Sequence, residues 1–220
     1  MVIGGVALRH GGPHVGRVLW CGHRRLANKA SVAVIWYSNL GSAVVDGQTT
    51  LKGFDECQIA EMGDAGTLLI NSRNPDALAA PHVRITARST DSGTSWYDVG
   101  AKEMQLKTPR CQGDLLHSLQ RNATYYSGAT PDVINWTDAR VNLSVRRAKD
   151  TAGSVYTDAV RVEDGPSAYS SLANLPSGAV GILYERGDDG CTNRAECGWD
   201  HAGRCPSCRV TFASLSAVGF

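Results

Sequence analysis

The chain has 220 residues, enough for one large domain or two small ones with a sizeable core, which excludes a peptide hormone and a small disulfide knot. Lys plus Arg number 22 against 21 Asp plus Glu, a net charge of +1. There is no basic excess to neutralise a run of phosphates, so neither a nucleic acid nor a polybasic membrane contact is expected. Met1 leads directly into residues 2–8, which read as a strand and not as a signal peptide. Short apolar or alternating segments follow at 17–20, 31–36, 57–60, 67–70, 82–87, 115–119, 140–145 and 180–184, with a last strand at 209–215, bounded by Gly, Pro, Asn or Asp. No window holds apolar residues at helical spacing over the ~11 positions a helix needs. The longest apolar run, 30–37, is far short of the ~18 residues that span a membrane. The expectation is an all-β chain, turn-rich because it carries 24 glycines, without a membrane span.

Many short strands suit a sandwich or a propeller, and a repeat separates the two. Ser89-Thr90-Asp91-Ser92-Gly93-Thr94-Ser95-Trp96 fits S-x-D-x-G-x-x-W, the Asp box of sialidase-type propellers. Its Asp and Gly shape a hairpin turn, and its aromatic residue is expected to be buried between strands. Weaker echoes stand at 38–41 and 149–156. Spacings of about fifty to sixty residues fit one box per blade.

Further motifs resemble the exo-α-sialidase (neuraminidase) family along nearly the whole chain. Residues 2–8 with Gly16-Arg17-Val18-Leu19 are similar to its G-x-G-(I/L)-Q-L … G-R-L segment. Asp55-Glu56-Cys57-Gln58-Ile59-Ala60-Glu61 with Asn71-Ser72-Arg73 resembles E-x-Q-(V/I)-x-E … N-x-R. Pro109-Arg110-Cys111-Gln112-Gly113-Asp114-Leu115 resembles P-x-C-Q-G-S-(L/V), and Ala168-Tyr169-Ser170-Ser171-Leu172 with Leu183-Tyr184-Glu185 resembles A-Y-S-x-L … L-Y-E. The resemblance implies a glycoside hydrolase that releases terminal sialic acids from glycans, glycoproteins or gangliosides with retention of configuration, and that needs no cofactor or metal for its chemistry.

The chemistry accounts for the residue types. A sialoside carries a carboxylate beside its anomeric carbon, so a carboxylate nucleophile would be repelled and a tyrosine takes its place. A phenol is a weak nucleophile near neutral pH and needs a base. By resemblance Tyr169 is the nucleophile, Glu56 its base, and Arg73 and Arg140 are two of the three arginines that grip the substrate carboxylate. Glu185 resembles the acid that orients the first arginine, and Gln112 would line the pocket. Read alone, Tyr169 is a strand tyrosine packed in a core and Glu56 a solvated acid at a strand end.

The chain departs from the family in two respects. A six-bladed propeller needs more chain than 220 residues at ~45 per blade, so residues 1–220 are expected to form a single incomplete domain of about four blades. The motifs bearing the general-acid Asp and the first arginine have no match here. A fragment or truncated gene model is therefore expected, inactive by itself, its parent secreted or lysosomal. A non-catalytic Asp-box propeller that binds glycans or proteins is the alternative. The second departure is a Cys-rich insert at 187–208, where Cys191, Cys197, Cys205 and Cys208 with His201 could hold Zn²⁺ or, the favoured view, form two disulfides.

Overall fold

The computed structural model describes residues 2–9, 13–27, 30–39, 45–63, 66–75, 82–130, 140–187 and 209–215. Among them are fourteen strands and no helix. The Cys-rich residues 188–208, and with them all four of its cysteines, lie outside the described residues.

Four strands, β1 (Val2–Ala7), β2 (Val18–Arg25), β3 (Ser31–Ser38) and β4 (Gly47–Lys52), form the first sheet, each antiparallel to the next. The second repeats the order with β5 (Cys57–Glu61), β6 (Leu68–Ser72), β7 (Val83–Ser89) and β8 (Tyr97–Lys107). This four-stranded meander is the unit from which propeller blades are built. The third sheet holds β9 (Asp114–Ser118), β10 (Ala123–Ala129), β11 (Val141–Arg147), β12 (Val160–Asn174), β13 (Val180–Arg186) and β14 (Arg209–Leu215) in sequence order. β12 runs on through Gly165 and Pro166; residues before Ser167 pair with β11 and those from Ser167 onward pair with β13.

Faces, not edges, hold the sheets together. Leu19, Cys21, Ala33 and Ile35 of the first sheet pack against Ile59, Leu68, Ile70 and Ile85 of the second. Ala60, Met62 and Leu69, on the opposite face of the second sheet, meet Leu115, Tyr126 and Tyr156. A third core joins Tyr125, Leu143 and Val145 to Leu172, Ile182 and Tyr184, so the two halves of the third sheet fold onto each other. Because side chains alternate along a strand, each sheet can cover two neighbours. Cys21 and Cys57, both fully buried, form a disulfide between β2 and β5 with Cα atoms 6.1 Å apart.

Arginines reach from one sheet to the turns of the next. Arg17, ahead of β2, donates to the Ser92 carbonyl at 2.9 Å inside the Asp-box turn of the second sheet. Arg88 at the end of β7 donates to the Ala152 carbonyl and to Ser154 Oγ in the third sheet. Within that sheet Arg121 donates to the Gly178 carbonyl at 2.7 Å. The turns they grip are shaped by carboxylates: Asp91 accepts the Ser95 N–H at 2.8 Å and Asp150 accepts the Ser154 N–H at 2.9 Å. The echo at 149–156 is thus an aspartate-stabilised turn like the full box. Trp96 is only partly buried, packed against the core between the first two sheets, because its box sits at the rim where one side of the ring meets solvent.

Strands β1, β5, β9 and the second half of β12 lie innermost, next to one another. They border a cavity of about 320 Å³ whose lining includes Arg9, Gln58, Glu61, Asp114 and His117. Asp114, 5% exposed, accepts the Leu115 N–H at 2.8 Å and, across to β12, the Leu172 N–H at 2.5 Å. Burial pushes its carboxyl up to about 6 against the pull of those two donors.

Two outcomes follow from this packing. Trp96→Ala should lower unfolding free energy by about 3 kcal/mol, the low end for large aromatic truncations, as measured by chemical denaturation; an unchanged midpoint would count against a packing role. For Asp114 the folded chain retains a proton at pH values where the unfolded chain has released it. Its contribution is therefore present below about pH 4 and is lost as pH rises through about 6, at most about 3 kcal/mol. Denaturation midpoints measured from pH 4 to 7 should fall more steeply for the native sequence than for Asp114→Asn; parallel profiles would contradict the assignment.

Candidate active site

The residues singled out from the sequence come from four separate stretches. Glu56 immediately precedes β5 and Arg73 immediately follows β6, and Cys57 pairs with Ser72, so the two face each other across an antiparallel pair. The Arg73 N–H donates to the Glu56 carbonyl at 2.8 Å, and Arg73 Nη1 donates to Glu56 Oε2 at 2.9 Å. From β12, 113 positions away, the Tyr169 hydroxyl donates to the other carboxylate oxygen, Glu56 Oε1. The β12–β13 register slips between Ser167 and Ser170, and such an irregularity re-aims the side chains within it.

The remaining residues surround this pair. Arg140, just ahead of β11, lies with its Cζ 5.7 Å from the Tyr169 ring centroid and donates to the Arg110 carbonyl at 3.2 Å. Glu185 in β13 accepts the Tyr169 backbone N–H at 3.3 Å. Gln112, ahead of β9 and 4% exposed, accepts the Ser170 N–H at 3.0 Å. Glu185 and Gln112 thus both hold the backbone that presents the Tyr169 ring. All six residues gather at the end of the inner strands away from Glu61, Leu119 and Asn174. The 320 Å³ cavity lies along the strands and is lined by none of the six.

Burial, then the hydrogen bond to Glu56 and its negative charge, push the Tyr169 phenol well above its ordinary range. The resting hydroxyl is therefore a donor and not a phenolate. Burial opposes the charge of Arg73, yet the hydrogen bond and charge of Glu56 prevail and hold the guanidinium above its ordinary value. The Cys111 thiol beside Gln112 is pushed up to about 11 by burial and stays neutral. Among the described residues no group of three or more His, Cys, Asp or Glu gathers to hold a metal ion.

Several neighbours escaped the sequence reading. His23 Nε2 of β2 lies 3.3 Å from Asp55 Oδ1, beside Glu56. Arg84 of β7 is fully buried and donates from Nε to Asn71 Oδ1 at 2.6 Å and from Nη1 to the Cys111 carbonyl at 2.8 Å. Its one sequence signal is a charge placed between Val83 and Ile85.

Residues 8–182 match the model of the BNR repeat-like domain family. A sialidase of Micromonospora viridifaciens is 30% identical over 192 residues, which is 83% of this chain and 28% of that protein. A Hadza microbial sialidase superposes with a TM-score of 0.61 at 21% identity, covering 82% of this chain and 34% of the other. A Trypanosoma rangeli sialidase does so at 0.58 and 17%, covering 79% and 28%; that enzyme is also solved with 2,3-difluorosialic acid as a covalent intermediate. The chain spans only about a third or less of these relatives. The family match runs through the Asp-box turn, its echo at 149–156, Glu56, Arg73 and Tyr169, and the chain accordingly belongs to the BNR repeat-like family, with a sialidase-like β-propeller fold.

Proposed function

We propose that the chain is part of a retaining exo-α-sialidase acting on sialylated glycans, with Tyr169 as nucleophile and Glu56 as its base. The observation that carries this reading is the Tyr169–Glu56 hydrogen bond with Arg73 on the other oxygen of the same carboxylate. A phenol held protonated at rest needs a base at the moment of attack. As the Tyr169 oxygen bonds to the anomeric carbon, its proton passes to Glu56 and the glycosidic C–O electron pair leaves with the aglycone oxygen. Arg73, one N–H already on Glu56 Oε2, leaves Oε1 to face the Tyr169 hydroxyl. Arg73 and Arg140 would hold the substrate carboxylate, whose charge a neutral phenol can approach without repulsion. Glu185 and Gln112 steady the strand that carries the nucleophile.

A general acid for the leaving group and a third arginine have no counterpart in the motifs of these residues. The reading places both in sequence beyond them, in keeping with the third or less of each relative that the chain spans. A covalent probe sidesteps the acid, because fluoride departs without being protonated. Incubated with 2,3-difluorosialic acid, the chain should acquire a glycosyl adduct on the Tyr169 peptide, detected by mass spectrometry. Tyr169→Phe should abolish the adduct, and Glu56→Gln should slow it by about 10² to 10⁴. An adduct on another residue, or labelling that survives Tyr169→Phe, would overturn the assignment. Turnover of a fluorogenic sialoside by the 220-residue chain should be negligible.

A further inference from the structure

A buried charge is expensive unless something offsets it, and Arg84 is a buried charge that feels Glu56 and Asp114 only from a distance, without an ion-pair contact. It is 0% exposed, and no ion pair among the described residues involves it. Its two hydrogen bonds go to neutral oxygens, its guanidinium faces the Tyr126 ring at 5.8 Å, and its Nη2 has no partner among the described residues. Burial drives its pKa below the ordinary arginine value. Filling this space with a methionine or leucine side chain would be the cheaper way to build a core, so the fork itself calls for explanation.

One of the two oxygens that Arg84 grips lies in the second sheet, and the other in the segment that leads into the third. Asn71 lies on β6, two residues before Arg73, whose guanidinium holds Glu56. Cys111 precedes Gln112, which holds the N–H of Ser170, the neighbour of Tyr169. Tyr169 then returns to Glu56. The links close a circuit: Arg84 to Asn71, along the chain to Arg73, to Glu56, across to Tyr169, along to Ser170, to Gln112, along to Cys111, and back to Arg84. It crosses between the second and third sheets twice, once above through the Tyr169–Glu56 contact and once below through Arg84.

We infer that Arg84 is a positioning residue: its planar fork sets the separation and orientation of the second and third sheets beneath the site, and thereby holds the Tyr169 hydroxyl on Glu56. The inference rests on reading Tyr169 and Glu56 as the reacting pair. A rigid fork with donors in fixed directions can span two acceptors on separate segments, whereas the single ammonium of a lysine on a flexible stem sets neither angle nor distance. A shift of about 1 Å in the reacting pair is enough to slow chemistry by about 10².

The test reads Tyr169 without requiring turnover. The full 220-residue chain is labelled with 3-fluorotyrosine, and the Tyr169 ¹⁹F resonance is assigned by its loss in Tyr169→Phe. Arg84→Met and Arg84→Lys should both stay folded by circular dichroism, yet both should move the Tyr169 resonance by more than its linewidth and slow labelling by 2,3-difluorosialic acid about 10²-fold. Asn71→Ala, which breaks only the half of the fork on the second sheet, should move the resonance in the same way and keeps the question answerable if neither Arg84 variant folds. Tyr156→Phe, in the same core but outside the circuit, should leave it in place. Any folded Arg84 or Asn71 variant with an unmoved Tyr169 resonance overturns the inference. Failure of the native chain to label at Tyr169, with the resonance still responding to Arg84, strikes the sialidase reading and leaves the positioning role standing.

Discussion

Strands β5 and β6 bury every side chain along their length, five residues each, so the second sheet needs a covering layer on both faces. Alternation sends Ile59, Leu68 and Ile70 toward the first sheet and Ala60 and Leu69 toward the third. A sheet apolar on both sides cannot end a stack, and stacking face to face leaves only strand ends and outer edges for polar work. The outer strand β8 shows the edge solution, exposing most of its eleven residues, as edge strands do when they must remain unpaired in water.

That arrangement fixes where chemistry can sit. Glu56, Arg73 and Arg140 stand immediately outside strands, and Gln112 two residues before β9, at the point where an element leaves the apolar layers. Their backbones are anchored by sheet registers, while their polar atoms face one another and not a core. Tyr169 and Glu185 are the exceptions, residues inside β12 and β13, and Tyr169 reaches the others because the ladder to β13 slips at its position. The disulfide between Cys21 and Cys57 ties the first sheet to the residue next to Glu56, so all three sheets converge on one carboxylate.

Much of this was legible in the sequence where burial alternates or is complete over a short run. The segments at 31–36, 57–60, 67–70 and 82–87 coincide with β3, β5, β6 and β7. Four strands were not read. β8 is polar because it is an edge, and β4 is polar apart from Leu51. β10 is buried throughout, with small residues and Gly128 that give no alternation. Gly165 and Pro166, which ordinarily stop a strand, lie within β12, where the chain passes from one ladder to the next. The site residues were legible as motifs, but their convergence across 113 positions was not, since only the stacking of sheets brings them together. Cys21 and Cys57 gave no signal, because a spacing of 36 residues carries no information about which sheets will face each other. Burial of Trp96 was expected from its role as the box aromatic, and its ring packs against the core while remaining only partly covered.

The reach of Arg17 and Arg88 into the turn of the following sheet has a consequence for how such a chain can grow. The second sheet carries both halves of a joint, the Arg88 guanidinium for its successor and the Asp91-shaped turn for its predecessor. A duplicated segment of about that length would arrive already equipped to dock at either end, without new contacts having to be invented at the seam. Lineages built this way can lengthen or shorten by whole sheets, and what limits their number is the angle between successive layers, since the adhesive itself is indifferent to how many have come before.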